Sequence, residues 1–380
     1  MIHDVAVIGA GPSGCYTAYQ LAREGFDVLV LEKNGTCRQA PVCTGVLGRE
    51  AFETFDLPRD SILSDVKDVQ FISPSGKLLS FRPQEIQAHV VDRLKFNDGL
   101  RALALKSGSA VREGVSCVDI DVKEACVELK TSANGTRIRA RAAVLACGHN
   151  PDLTRRLGLG VIPEQYEGAQ SELSMDDLSA TEIYVGRNVA PSSFAWAVKL
   201  QDGKARVGLV TRRRASHFLE AFLGSDILKG RVRDVGRILR KPIPFGGLRR
   251  TFGNRLLAVG EVAGQVKTTT HGGIYYGLIG AAAAAETLKE ALQRNELGAE
   301  RLEAYEKRWR SLLDAELHRG HVLRQLFERL SDNHIDRLFS LALKDGFMDL
   351  VHGKARFDWH GDFIVSLMKQ PAVKYIRGWL

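Results

Sequence analysis

The chain opens on an apolar run, Val5-Ala6-Val7-Ile8, breaks at Gly9, and resumes with apolar residues at helical spacing from Ser13 to Glu24. Gly25-Phe26-Asp27 then turns it into a second buried strand, Val28–Glu32, which completes a βαβ unit. Between residues 66 and 91 the runs are shorter and mixed, and Ser73-Pro74-Ser75-Gly76 predicts an antiparallel hairpin. A helix is predicted from about Arg93 to Lys106, strands over Ser116–Val122 and Ala125–Thr131, and a buried strand over Arg141–Cys147. Strands return from Gly168 to Val210, with Phe194–Leu200 and Ala205–Val210 joined across Gln201-Asp202-Gly203. Phe218 to Leu239 reads as a helix, Leu256–Val259 as a strand, and Gly273 to Leu292 as a long alanine-rich helix. After Leu302 the chain is amphipathic and helical, with a looser tail from about Phe357.

Nucleotide-type elements therefore occur at the start, in the middle and near residue 260. They predict a dinucleotide domain assembled from the discontinuous segments 1–65, 92–160 and 245–300. A β-sheet substrate domain is expected over 66–91 and 161–244, and a helical region over 301–380.

Composition narrows the class. With 380 residues, 44% hydrophobic and 26% charged, the chain has the balance of an ordinary globular protein. No stretch approaches the roughly 18–20 uninterrupted apolar residues of a membrane-spanning helix. The N-terminus runs straight into a strand pattern, so no secretory signal is expected. The six cysteines show neither CxxC pairs nor zinc spacing and read as thiols in a reducing compartment. Cytoplasmic residence is expected, and no metal site. The net charge of +8 concentrates mid-chain, in Arg212-Arg213-Arg214 and then Arg231, Arg233, Arg237, Arg240, Lys241, Arg249 and Arg250. A solvated face, an anionic lipid surface and a phosphorylated substrate all suit that charge. Nucleic acid does not, because no stacking-aromatic module or helix-turn-helix accompanies it.

The chemistry begins at Gly9-Ala10-Gly11-Pro12-Ser13-Gly14, a GxGxxG fingerprint that follows a strand and opens a helix. Gly9 permits the tight turn, Gly11 lets backbone approach a pyrophosphate, and Gly14 lets helix and strand pack closely. The amides of the helix start, through Pro12 and Ser13, face the phosphates with the positive end of the helix dipole. Glu32, followed by Lys33, ends the next strand, where a carboxylate can accept from an adenosine ribose. Spacing alone leaves nicotinamide and flavin dinucleotides both open. A second signal favours flavin: the strand Leu256–Val259 delivers Gly260 and Glu261, with Gly264 after them. His271-Gly272-Gly273-Ile274 then starts another helix whose amides can face the flavin pyrimidine or the phosphates.

This layout resembles the second FAD motif of the p-hydroxybenzoate hydroxylase fold, with Glu261 in place of the usual aspartate. The stretch Gly264-Gln265-Val266-Lys267-Thr268-Thr269-Thr270-His271-Gly272-Gly273-Ile274-Tyr275-Tyr276-Gly277 is similar to that of the geranylgeranyl reductase family. So are Pro41-Val42-Cys43-Thr44-Gly45-Val46, which resembles the family's cysteine-glycine segment beside the isoalloxazine, and Val91-Asp92-Arg93 with Phe96, which resembles an arginine-containing helix start near FAD. Ser193-Phe194-Ala195-Trp196 looks like the family's aromatic-x-tryptophan strand in the substrate cavity, and Pro242–Gly247 fits the entry to the second FAD motif. The sequence departs from the pattern at Cys147-Gly148-His149-Asn150, where the fold usually carries Asp-Gly, and after Trp196, where a proline is absent.

The resemblance implies an α/β fold: a Rossmann-like FAD domain of the p-hydroxybenzoate hydroxylase and glutathione reductase type, an inserted antiparallel β-sheet substrate domain, and a C-terminal helical region. It implies FAD-dependent reduction of isolated C=C bonds in polyprenyl lipids or prenyl diphosphates, with NAD(P)H or a ferredoxin-like partner as transient donor. Cofactor contacts fall to Gly9, Gly11, Pro12, Ser13, Gly14, Glu32, Lys33, Arg93, Gly260, Glu261, Gly264, Gly272, Gly273 and Ile274. Cys43 is the first candidate acid, with His271 and Tyr275 in reserve; Trp196, Phe194 and Gly45 face the substrate. A basic middle and amphipathic C-terminal helices suit a peripheral enzyme on the inner membrane face. Two alternatives stay open: an FAD-dependent monooxygenase or halogenase on an aromatic or polyketide substrate, and a non-catalytic flavin-binding redox sensor.

Overall fold

The computed structural model describes residues 2–35, 42–133, 135–343, 351 and 353–369. Pro41 and Cys37 lie outside the described residues. The helices are α1 (Pro12–Arg23), α2 (Arg49–Thr54), α3 (Arg93–Lys106), α4 (Pro151–Arg156), α5 (Ala215–Leu223), α6 (Ile274–Arg294), α7 (Ala299–Arg329), α8 (Asp332–Ala342) and α9 (Gly361–Lys369).

The apolar N-terminal strand His3–Ile8 lies at the centre of a parallel array, between Val28–Glu32 and Arg137–Leu145. Ala110–Glu113 extends the array on one side and Leu256–Ala258 on the other. Strands buried on both faces read as continuous apolar runs, and these do. Helices α1, α3 and α6 cover one face, with Val5, Val7, Leu21, Phe96, Val144 and Leu288 in a single core. The hairpin Cys117–Val122 and Val127–Thr131 pairs antiparallel with the first half of Arg137–Leu145.

A second sheet is antiparallel apart from one parallel join, Thr181–Val185 with Val69–Ile72. It contains the expected hairpin of Phe194–Lys199 with Lys204–Thr211, in register Lys199↔Ala205, and that of Val69–Ile72 with Leu78–Phe81. A small third sheet joins Val46–Gly48, Ala88–Val91 and Ile62–Val66. The segment 66–91 is thus split between the second and third sheets.

Two expectations need correction. The helix over Phe218–Leu239 stops at Leu223, where Gly224 follows, and Leu239–Phe245 is instead a strand paired along Glu164–Gln170. Between them the chain turns, and Val232–Arg233 pairs with Ser174–Met175, so sheet pairing outweighs the local helical spacing. Within the tail expected to be looser from about Phe357, residues 361–369 form α9, which packs against α7. Helix α8 seats Ile335 and Phe339 against Leu79 of the second sheet, and Asp336 accepts hydrogen bonds from Ser73 and Ser75.

Candidate active site

A cavity of about 1220 Å³ runs from the start of α1, past the second sheet, to the inner faces of α8 and α9. Its near end is built from backbone. Gly9 has φ +107°, open only to glycine without strain, and a Cβ on Gly14 would stand 2.0 Å from the Gly9 carbonyl oxygen. Gly11 caps α1 with no side-chain hydrogen bond and open space over its Cα, so among the described residues the first amides of α1 are free for a ligand. Glu32 is held by two amides, from Ala10 at 2.8 Å and Asn34 at 3.0 Å.

Beside this turn lies a charged cluster. Arg93, fixed at the first turn of α3 by the Asp92 cap, donates to Asn97 Oδ1 at 2.8 Å and to Cys43 Sγ at 3.4 Å. Among the described residues its Nε is buried without a partner. Lys241 donates to Glu261 Oε1 at 2.6 Å. Burial pushes the Cys43 thiol up, but the Arg93 and Lys241 charges and a hydrogen bond to the Gly45 backbone outweigh it, so Cys43 is held below its ordinary value.

The far end is built from side chains. Phe194 and Trp196 stand 6.0 Å apart on one strand, and His271 closes a ring with Tyr166 and Phe245 at 4.7 and 6.1 Å. Burial, with the Arg324 charge behind it, drives the His271 imidazole well below its ordinary value, so it is neutral. Tyr275 lines the cavity and donates to Glu50 Oε1 at 3.0 Å; burial and that carboxylate hold its phenol well above the usual range. Tyr276 turns inward and donates to the Asp358 carbonyl.

The pyridine nucleotide-disulphide oxidoreductase family matches residues 3–177. The digeranylgeranylglycerophospholipid reductase of Methanocaldococcus jannaschii is 28% identical over 356 residues, covering 89% of this chain and 90% of that relative. The same-named reductase 2 of Methanothermobacter thermautotrophicus is 28% identical over 365 residues, 91% and 93% of the two chains. A geranylgeranyl bacteriochlorophyll reductase-like protein from Thermoplasma acidophilum matches with TM-score 0.86 at 21% identity, over 100% of this chain and 99% of that one. The chain is thus similar over nearly its whole length to geranylgeranyl-type reductases, and it is an FAD-dependent oxidoreductase. The p-nitrophenol 4-monooxygenase PnpA from Pseudomonas putida shares the fold alone, at TM-score 0.74 and 18% identity over 92% of this chain and 96% of that one.

The chain offers FAD a fitting cradle: among the described residues, uncapped α1 amides, open space over Gly11, and an orphaned buried Arg93 Nε. Of the residues expected from sequence, the cavity brings together Gly11, Pro12, Ser13, Cys43, Gly45, Arg93, Phe194, Trp196, Glu261, His271, Gly272, Gly273, Ile274 and Tyr275. Gly9, Gly14, Glu32, Gly260 and Gly264 shape the turns behind them, and Lys33 is exposed and does not line the cavity. Sequence reasoning missed Asn97, Gln170, Lys241, Lys267, Arg324 and Asp358, all of which line it. The signals were faint: Lys241 was one of many mid-chain cations, and Asp358 lay in the looser tail.

Proposed function

We propose that this reductase saturates isolated C=C bonds in the polyprenyl chains of a lipid or prenyl diphosphate. The observation that carries the reading is the single continuous cavity, with a glycine-built cofactor cradle at one end and a mainly apolar, aromatic-lined run at the other. Reduced FAD, when bound, supplies hydride to one alkene carbon. The protein must then keep the run dry, orient the chain, and hold a proton for the other carbon. Phe194 and Trp196, with the aliphatic walls of the second sheet and α8, exclude water and grip the chain. The Trp196 ring lies over Gly208, where a Cβ would come within 2.4 Å of Cζ2, so the strand itself sets its position.

Among the three candidate acids, His271 is neutral and Tyr275 binds its proton tightly, whereas the Cys43 thiol releases its proton more readily than usual. Cys43 therefore holds the proton in our reading, with Arg93 beside it to accept the charge of the thiolate.

A lipid substrate suits presentation at an anionic membrane surface. Among the described residues no helix is long and apolar enough to cross a membrane. The basic middle is partly neutralised, because Arg212, Arg231, Arg233 and Lys241 each pair with a carboxylate. Exposed Arg213, Arg214 and Arg237 remain for lipid head groups. NAD(P)H or a ferredoxin-like partner supplies the electrons, and anaerobic mixing with each, followed at the flavin absorbance, separates the two.

The decisive experiment reduces the holoprotein with dithionite without oxygen and adds a geranylgeranyl lipid. Flavin reoxidation together with a product heavier by two hydrogen atoms per turnover is the expected result. A flavin that stays reduced until air is admitted would defeat the proposal and favour oxygen chemistry on an aromatic substrate.

A further inference from the structure

Lys241 stands in the cavity wall at a place where packing alone gives no reason for a cation. It lies on the strand Leu239–Phe245, opposite Gly168, and its ammonium reaches Glu261 on the turn Gly260–Ala263. Both side chains keep about a third of their exposure, 31% and 30%, and both line the cavity at its cofactor end. The pair engages Oε1. The other oxygen, Oε2, is directed at the turn through Gly148, where a Cβ would lie 3.7 Å away. Among the described residues Oε2 accepts no hydrogen bond, so it is an available acceptor in the cradle. Glu261 itself follows the strand Leu256–Ala258, which fixes where its carboxylate emerges.

We infer that Lys241 is a positioning residue for FAD: it holds Glu261 with Oε2 turned toward the cofactor and cancels the carboxylate's charge beside the flavin. This rests on the cofactor and is independent of the substrate reading. A flavin gains electrons, and with them negative charge, on reduction. A lone carboxylate in a half-buried wall would oppose that gain, because charges there are weakly screened. A lysine bonded to it removes the penalty while keeping one oxygen free to accept from the cofactor. The same two side chains act on Cys43 in opposite senses, Lys241 stabilising the thiolate and Glu261 opposing it, which places the pair within electrostatic reach of the reacting end.

The test uses holoprotein with Lys241→Met, Lys241→Arg, Glu261→Gln and the double variant Lys241→Met/Glu261→Gln. FAD affinity is read by titrating apoprotein and following flavin fluorescence, and the two-electron midpoint potential by anaerobic equilibration with a reference dye. Lys241→Met is expected to weaken FAD binding about tenfold, the scale of one hydrogen bond to a charged group. It should also lower the midpoint potential, by about 30 mV for each tenfold loss of preference for the reduced cofactor. Lys241→Arg should restore both. The double variant should regain the potential but not the affinity, since it removes the charge imbalance and the acceptor together. A Lys241→Met protein matching the parent within twofold in affinity, with unchanged potential, overturns the inference. Should Lys241→Met fail to fold, Glu261→Gln decides: a raised potential with weaker FAD binding supports it, and no change in either overturns it. Absence of prenyl reduction by the parent protein would defeat only the substrate reading, because neither measurement here involves substrate.

Discussion

The two ends of the cavity are built on different principles. At the cofactor end the cradle is mainly backbone, the Gly9 turn, the first amides of α1 and the turn at Gly260, with a small charged cluster beside it. The backbone groups come from two short stretches of chain and are placed by parallel strands in fixed register, Val5 facing both Val28 and Ala142. At the substrate end the surface is side chains gathered from the second sheet, α7, α8 and residues 353–369. A site made of amides tolerates little except glycine at its tight points. A site made of side chains can change its occupant by single substitutions while the frame persists. One FAD fold can on that account host reductases, monooxygenases and halogenases.

The contrast breaks most sharply if the two ends prove to be one cooperative unit. Asp358→Asn would leave the Lys267 ammonium buried without its counter-charge, since both side chains are nearly inaccessible. The expected loss is about 3–5 kcal/mol. It should be felt as faster hydrogen exchange over residues 353–369, with the amides of α1 still protected. Equal deprotection of α1 would show that the roof and the cradle open together.

Gly14→Ala attacks the other end. Its Cβ would meet the Gly9 carbonyl oxygen at 2.0 Å, so helix and strand must separate. A cost of about 1–3 kcal/mol is expected, together with a flavin-to-protein ratio well below that of the parent. Gly208→Ala is the counterpart at the substrate end, where the new methyl meets the Trp196 ring at 2.4 Å. Here about 1 kcal/mol is expected, with the flavin ratio intact and lipid-driven reoxidation slowed. Loss of flavin in this variant would contradict the separation.

Near neutral pH the smallest effect is a pH dependence of the segment that carries His360. Burial and the nearby Lys267 charge push His360 down to about 3, while in the unfolded chain it titrates near its ordinary 6.5. The neutral ring therefore contributes stability that is complete above pH 6.5 and is lost as the pH falls toward about 3. Thermal unfolding midpoints should drop through that window, and His360→Asn should flatten the slope without removing it, because His271 titrates in the same sense.

Much of the cofactor end was legible because its demands are local. A strand, a glycine turn and a helix must occur consecutively, and Gly9 to Gly14 record that requirement in order. The hairpins around Ser73–Gly76 and Gln201–Gly203 were legible for the same reason. The helix expected over Phe218–Leu239 failed because the chain turns after Gly224 and Val232–Arg233 then pairs with Ser174–Met175, a partner more than fifty positions away. Trp196 could be assigned to the cavity by resemblance, but not its seat on Gly208, which depends on the register of neighbouring strands.

The βαβ start, the glycine cradle and the second FAD motif could be read from the chain alone, since each is written in contiguous residues with a backbone requirement. Folding alone brings Lys241 to Glu261, Lys267 to Asp358, and Cys43 under the influence of Arg93 and Lys241. A charge in a linear sequence has no partner until folding brings distant segments together. Burial then sets how strongly each pair is felt, and that depends on the whole packing around it.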